Sequence, residues 1–221
     1  GGWTYVLGAE FYYAHDGSTD GWELLGLLDA EAAGAIVPQF VRDEWNHALL
    51  ASLNSDGSFD YQSNANPADS YAVNVAKTGV GIQGMFYAGR LATDPDLANA
   101  KTWLKDRWAN QAGGQSFICG NSTYNKGCSY GMFNVFKGFK LFGITTVPGI
   151  GYTPAAGSTV LADDWYADYV DWLVANQTSQ TSTTGGYWSP LYFSSQTQNA
   201  PANAAIALLI LSPTALVLPD P

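Results

Sequence analysis

The chain has 221 residues, 47% hydrophobic and 14% aromatic, enough for a buried core and too apolar for a disordered chain. Its 19 acids against 9 Lys and Arg leave a net charge of −10, which excludes a basic nucleic-acid surface and disfavours an anionic membrane. Only 13% of residues are charged, and a surface poor in Lys and rich in Ser, Thr, Asn and Gly reads as extracellular.

Gly1-Gly2-Trp3 opens the chain without a Met, which we read as a processed piece of something longer, secreted or at the cell surface. Residues 20–33 are apolar nearly all round and read as a buried helix with Asp20 as its N-cap. The segment Asp16-Gly17-Ser18-Thr19-Asp20-Gly21 starts like a calcium loop, but its twelfth position is Leu27 where a bidentate Glu belongs. Pro38 suits the first turn of an amphipathic helix with Val41, Trp45, Leu49 and Leu53 at four-residue spacing. Residues 69–91 are again apolar all round, with Asp69 and Tyr71 at the start and Gly79, Gly81, Gly84 and Gly89 inside. Each helical Gly costs about 1 kcal/mol relative to Ala, so close approach of a neighbour is the expected compensation. The G-x-G-x-x-G spacing over 79–84 follows no strand and carries no phosphate-binding meaning.

Asp94-Pro95 opens a second amphipathic helix bearing Leu97, Leu104 and Trp108. Cys119 and Cys128 bracket a turn-rich loop whose length permits a disulfide. The extracellular composition favours that bridge over two free thiols, and no paired His or CxxC supports zinc. Residues 129–142 form a third apolar helix, Ser158-Thr159 can cap a third amphipathic one with Leu161, Trp165, Trp172 and Leu173, and 203–211 is the last apolar one. Its apolar run, 204–211, is far short of the ~20 residues a membrane span needs. Residues 213–221 are a Pro-containing tail, and 1–221 otherwise reads as a single repeat domain.

Gly-aromatic turns recur at Gly1-Gly2-Trp3, Asp56-Gly57-Ser58-Phe59, Gly113-Gly114-Gln115-Ser116-Phe117 and Gly185-Gly186-Tyr187-Trp188. Buried helix, amphipathic helix and turn alternate with a period of roughly 55–70 residues, the signature of a helical-hairpin repeat. The run from Leu49 to Phe59 resembles the QW-type repeat of squalene/hopene cyclases and protein prenyltransferases. Trp172-Leu173-Val174-Ala175-Asn176-Gln177 before Gly185 is more similar still, since it keeps the Gln, and Asn110-Gln111 before Gly113 is the third instance. The resemblance implies an all-α fold, an α/α toroid in which inner helices ring a cavity and outer helices surround them. With seven or eight helices, fewer than a closed toroid of this kind holds, the array reads as an incomplete ring. Leu53 stands where the first repeat would carry Gln.

The chemistry of those families needs a D-x-D-D acid or an Asp/Cys/His zinc set. Asp163-Asp164 is the nearest acidic pair, and its plainer role is to open a helix. The two histidines, His15 and His47, both precede Asp69, so the zinc ligand order does not match. No cofactor and no metal site are expected, and the balance leans away from an enzyme. Aromatic side chains near the inner-helix starts, Trp22, Tyr71, Tyr130 and Phe133, together with Trp188 and the acids Asp20 and Asp69, would line the mouth of a cavity suited to an apolar or sugar ligand. The preferred reading is a non-catalytic module for binding or self-assembly, whose partner is a second copy or the rest of a parent chain. Two readings compete with it: a terpenoid-cyclase-like fragment acting on an isoprenoid, and a carbohydrate-active enzyme using carboxylates such as Asp20 with Glu23 or Asp69.

Overall fold

The computed structural model describes residues 2–3, 16–61, 73–108, 125–177, 188 and 200–212. Among these the protein is all-helical. Seven helices occur in the order α1 (Gly17–Ala32), α2 (Gln39–Ser52), α3 (Val75–Tyr87), α4 (Pro95–Lys105), α5 (Ser129–Leu141), α6 (Trp165–Ala175) and α7 (Ala200–Leu211). Extended pairing among the described residues is confined to isolated bridges such as Leu53 with Phe59.

The apolar helices form one row. α3 and α5 pack most extensively, α1 lies against α3, and α7 lies against α5. α2 and α4 pack on α3, and α6 on α7. Glycines explain how tightly α3 and α5 meet. A Cβ on Gly79 would stand 2.6 Å from the Val135 backbone nitrogen, and one on Gly138 would stand 2.8 Å from Ile82 Cγ2. The matched neighbours, Val75 with Gly131, Gly79 with Val135 and Ile82 with Gly138, advance together, so the two helices run parallel. Gly17 beside Lys77 and Gly21 beside Val80 place α1 parallel to them as well. Residues that weaken an isolated helix are therefore what lets this one be surrounded.

The remaining glycines of α3 receive aromatic rings. Phe59 lies against Gly81, and Trp45 against Gly84, whose carbonyl accepts the indole N–H at 3.0 Å. Gly57, at φ +87, turns the chain so closely over Asn99 that any side chain there would meet backbone at 2.3 Å. The Asp56–Phe59 turn thus delivers one ring into the core and presses its backbone on α4. Trp165 and Trp188 repeat the anchoring of Trp45, donating to the carbonyls of Ile144 and Leu173 at 2.7 Å each.

Three helix ends share one device. After α1, α3 and α5 the chain turns through Gly34, Gly89 and Gly143, each at positive φ. The amide beyond each glycine reaches back into the last turn: Ala35 to Ala30, Arg90 to Met85, and Ile144 to Phe139. Glycine is the residue that takes this conformation without a Cβ penalty.

Several expected boundaries move. α1 begins at Gly17, and Asp16, not Asp20, is its N-cap, accepting from the Ser18 amide at 2.7 Å. Residues 17–27 are helical, so they are not a cation loop. α3 starts at Val75 behind Asn74, whose side chain caps Lys77 N, and it ends at Tyr87 rather than 91, with Gly89 turning the chain away. α6 is capped by Asp164 and starts at Trp165, leaving Ser158, Thr159 and an exposed Leu161 outside it. Trp108 lies beyond the end of α4 yet is fully buried, stacked on Tyr169 at 5.1 Å. The Asp94-Pro95 start of α4 is as expected, with Asp94 accepting from Asp96 N at 2.8 Å.

Burial differs along the row. α3 and α5 are enclosed almost completely. α1 is buried only at Gly17, Thr19, Asp20, Gly21 and Leu24, and on α7 Leu208 is 57% and Leu209 39% exposed. An apolar circumference implies burial on all sides, and the terminal positions of α1 and α7 leave each with an uncovered flank. No described helix is long and apolar enough to cross a membrane.

Candidate functional site

Because α1, α3 and α5 are parallel and start at similar levels, their first turns converge. Tyr130 Oη donates to the Ser18 carbonyl at 3.1 Å, tying α5 to α1. Trp22 leans on Phe133 with ring centroids 6.0 Å apart, and Phe133 continues to Phe136 at 6.5 Å. Trp22 remains 49% exposed while Phe133 is buried, so the cluster opens to solvent on its α1 side. Asp20 is buried in the first turn of α1 and accepts the Trp3 amide at 3.0 Å. The structure thus gathers Asp20, Trp22, Tyr130 and Phe133 at one end of the helix row.

Trp188 does not join them. It is buried and anchored to Leu173 behind α6, because its indole N–H needs an acceptor and finds one there. Asp69, Tyr71 and Cys119 lie outside the described residues. Cys128 is no free thiol, and its sulfur accepts from the Gly131 amide at 3.1 Å at the start of α5. His47 is exposed on α2 beside Glu44.

Two lysines complete the cluster. Lys77 on α3 is 4% exposed, with its ammonium 4.2 Å from the Tyr61 ring centroid and 5.4 Å from that of Tyr130. Burial pulls its pKa down to about 8 against the attraction of Asp16 and Asp20. Lys137 on α5 is 1% exposed, 4.4 Å from the Phe133 centroid and 5.0 Å from that of Trp22. Burial alone takes its pKa to about 7. The sequence held a signal for both: a lysine inside a helix without a polar face has nowhere to go but inward.

Polar satisfaction is selective here. Gln83 Nε2 donates to both the backbone and side-chain oxygens of Asn134 at 3.1 Å, and Asn134 Nδ2 donates to the Tyr130 carbonyl at 2.8 Å. Beneath α1, Asp20, Ser52, Asp60 and Lys77 line a recess of about 10 Å³. That is room for about one water.

The acidic pair has other duties. Asp163 accepts from the amides of Gly149 and Gly151 at 2.8 and 3.0 Å, closing the loop before α6. Asp164 accepts from the amides of Tyr166 and Ala167 at 3.0 and 2.9 Å. Among the described residues no group of three or more His, Cys, Asp or Glu is placed to hold a metal ion. No family model, curated protein or solved structure matches the chain.

Proposed function

We propose that the protein is a non-catalytic extracellular module of the α/α-toroid kind, an open array of helical hairpins that assembles with a second copy of itself. The observation that carries this reading is the contrast along the row, α3 and α5 enclosed while α7 presents Leu208 and Leu209 to solvent. The outward positions of α7, at 201, 205, 208 and 209, fall on one stripe and include no charged residue. Soluble monomers rarely leave such faces bare, and repeat arrays without polar caps tend to stack. The commitment of Asp163 and Asp164 to backbone amides supports a structural role for them over alkene protonation.

A Cys119–Cys128 bridge suits the extracellular setting and would pin the loop before α5. Closing so short a loop contributes about 2–3 kcal/mol. Alkylation of native protein without reductant is expected to add no mass, and two modified thiols would remove the bridge from the account.

Light scattering across a dilution series tests the assembly. The expected result is a mass above 23.6 kDa that falls on dilution. A monomer at every concentration that binds no hydrophobic dye would contradict it.

A further inference from the structure

We propose that the end of the row where α1, α3 and α5 terminate docks on the surface of a zwitterionic phospholipid bilayer, with Ile36, Phe40 and Leu91 entering the headgroup layer. The proposal is independent of the assembly reading, which rests on the flank of α7. Three observations meet at this end.

The first is exposure. Ile36 is 93% exposed, Leu91 71% and Phe40 65%. Ile36 and Leu91 hold equivalent places, each two residues past the glycine at which the chain turns out of its helix. Phe40 lies in the first turn of α2. Arg42, two residues on, ties that turn to the same end by pairing with Glu31 of α1 and donating to the Tyr87 carbonyl of α3. Phe86 meets Phe142 edge-on at 5.4 Å, which sets the end of α5 beside that of α3. Separate apolar points on neighbouring turns suit a fluid boundary that closes around each one, where a folded partner needs a continuous surface.

The second is charge. Residues 32–41 and 91–93 include no charged side chain. Neither does 141–162, the connection that leaves α5 here and returns beside it at Trp165, whose indole donates to the Ile144 carbonyl. Charge begins at a rim, where Arg42 pairs with Glu31 and Arg90 with Asp94 and Asp96. Arginines so matched have nothing to offer an anionic headgroup, and a chain of net charge −10 repels one. A zwitterionic headgroup brings no net charge to be repelled. An uncharged end thus meets an uncharged surface.

The third is the backbone. Entry into lipid strips water from the last carbonyls of a helix, which have no partner within the helix itself. At this end the amides of Ala35, Arg90 and Ile144 already return to the carbonyls of Ala30, Met85 and Phe139. Those acceptors keep their partners when the water leaves.

Flotation with vesicles of pure phosphatidylcholine tests the proposal on the whole chain, beside Ile36→Asp and Leu91→Asp. Both positions are exposed, so each variant is expected to keep the helix content of the wild type by circular dichroism. The wild type is expected to float, and its partition coefficient to fall about tenfold or more in each variant, the scale of one large apolar side chain kept in water. Replacing roughly a third of the lipid by phosphatidylserine is expected to weaken the binding. Leu208→Glu, on the flank of α7, is expected to float as the wild type does. A wild type that stays with the unbound protein would overturn the proposal. So would Asp variants that float equally well, tighter binding to the phosphatidylserine vesicles, or loss of flotation in Leu208→Glu. A lower mass for either Asp variant than for the wild type in lipid-free solution would give this end to a second copy and overturn it too.

Discussion

Lys137 is a lysine held almost wholly out of water. Its pKa is 10.5 in the unfolded chain and about 7 when folded. Between those values the unfolded chain holds a proton that the folded one has released, so this residue makes stability rise with pH through that window. Below pH 7 it is charged in both states and the full penalty of burying it remains. Lys137→Met is therefore expected to stabilise the protein by about 3–5 kcal/mol near pH 6, a gain that fades above pH 10. Denaturant melts at the two pH values check this. Asp163 and Asp164 invite a smaller change. Asp163 is the non-glycine residue at positive φ among those described, at 57°, and its carboxylate holds two loop amides. Asp163→Ala is expected to cost about 1–2 kcal/mol and Asp164→Ala about 1 kcal/mol through the lost cap, read as a lowered Tm. Lys77 and Lys137 are legible only through the helices that carry them, since Lys by itself favours the surface and these helices have no polar face. The nearness of Trp22, Tyr130 and Phe133 follows from aromatic side chains standing at matching positions of parallel helices.

At the scale of elements, the close glycines decide the packing. Gly79→Ala would drive a Cβ into the backbone of Asn134 and Val135, at 2.7 and 2.6 Å, and neither can move without shifting α5. A loss of about 3 kcal/mol is expected. Gly26, on the open face of α1, has no neighbour within 4 Å, so Gly26→Ala is expected to gain up to about 1 kcal/mol. Thermal melts of the two variants should move in opposite directions, and parallel shifts would contradict the packing described. The alternation of apolar and amphipathic helices was readable from periodicity, and so was the Asp94-Pro95 start. The ends were less so. Asn74 caps α3, five residues past the expected start at 69, and Asp164 rather than Ser158 caps α6, because the cap is set by where the chain enters the row, which tertiary contacts decide.

For the whole molecule, the row α1, α3, α5, α7 has a middle and two ends. One apolar cluster runs through it from Leu24 to Ile210, with α2, α4 and α6 along its side. Arg42 links three of these helices, pairing with Glu31 at 2.5 Å and donating to the Tyr87 carbonyl. An apolar circumference asks for cover on every side, and an open array of seven or eight helices leaves the first and last inner helices with an uncovered flank; the structure encloses the middle pair and leaves α1 and α7 half covered. Periodicity reports what a helix could bury and says nothing of how many neighbours it will have. The most direct test of an assembling array is sedimentation equilibrium at micromolar concentration on the wild type beside Leu208→Glu. Leu208 stands on the α7 stripe, and the substitution leaves the buried face at Ile206, Ala207 and Ile210 untouched. The account predicts an associating wild type and a variant of 23.6 kDa with unchanged helix content. A wild type that is already monomeric, or a variant that associates just as strongly, would contradict it.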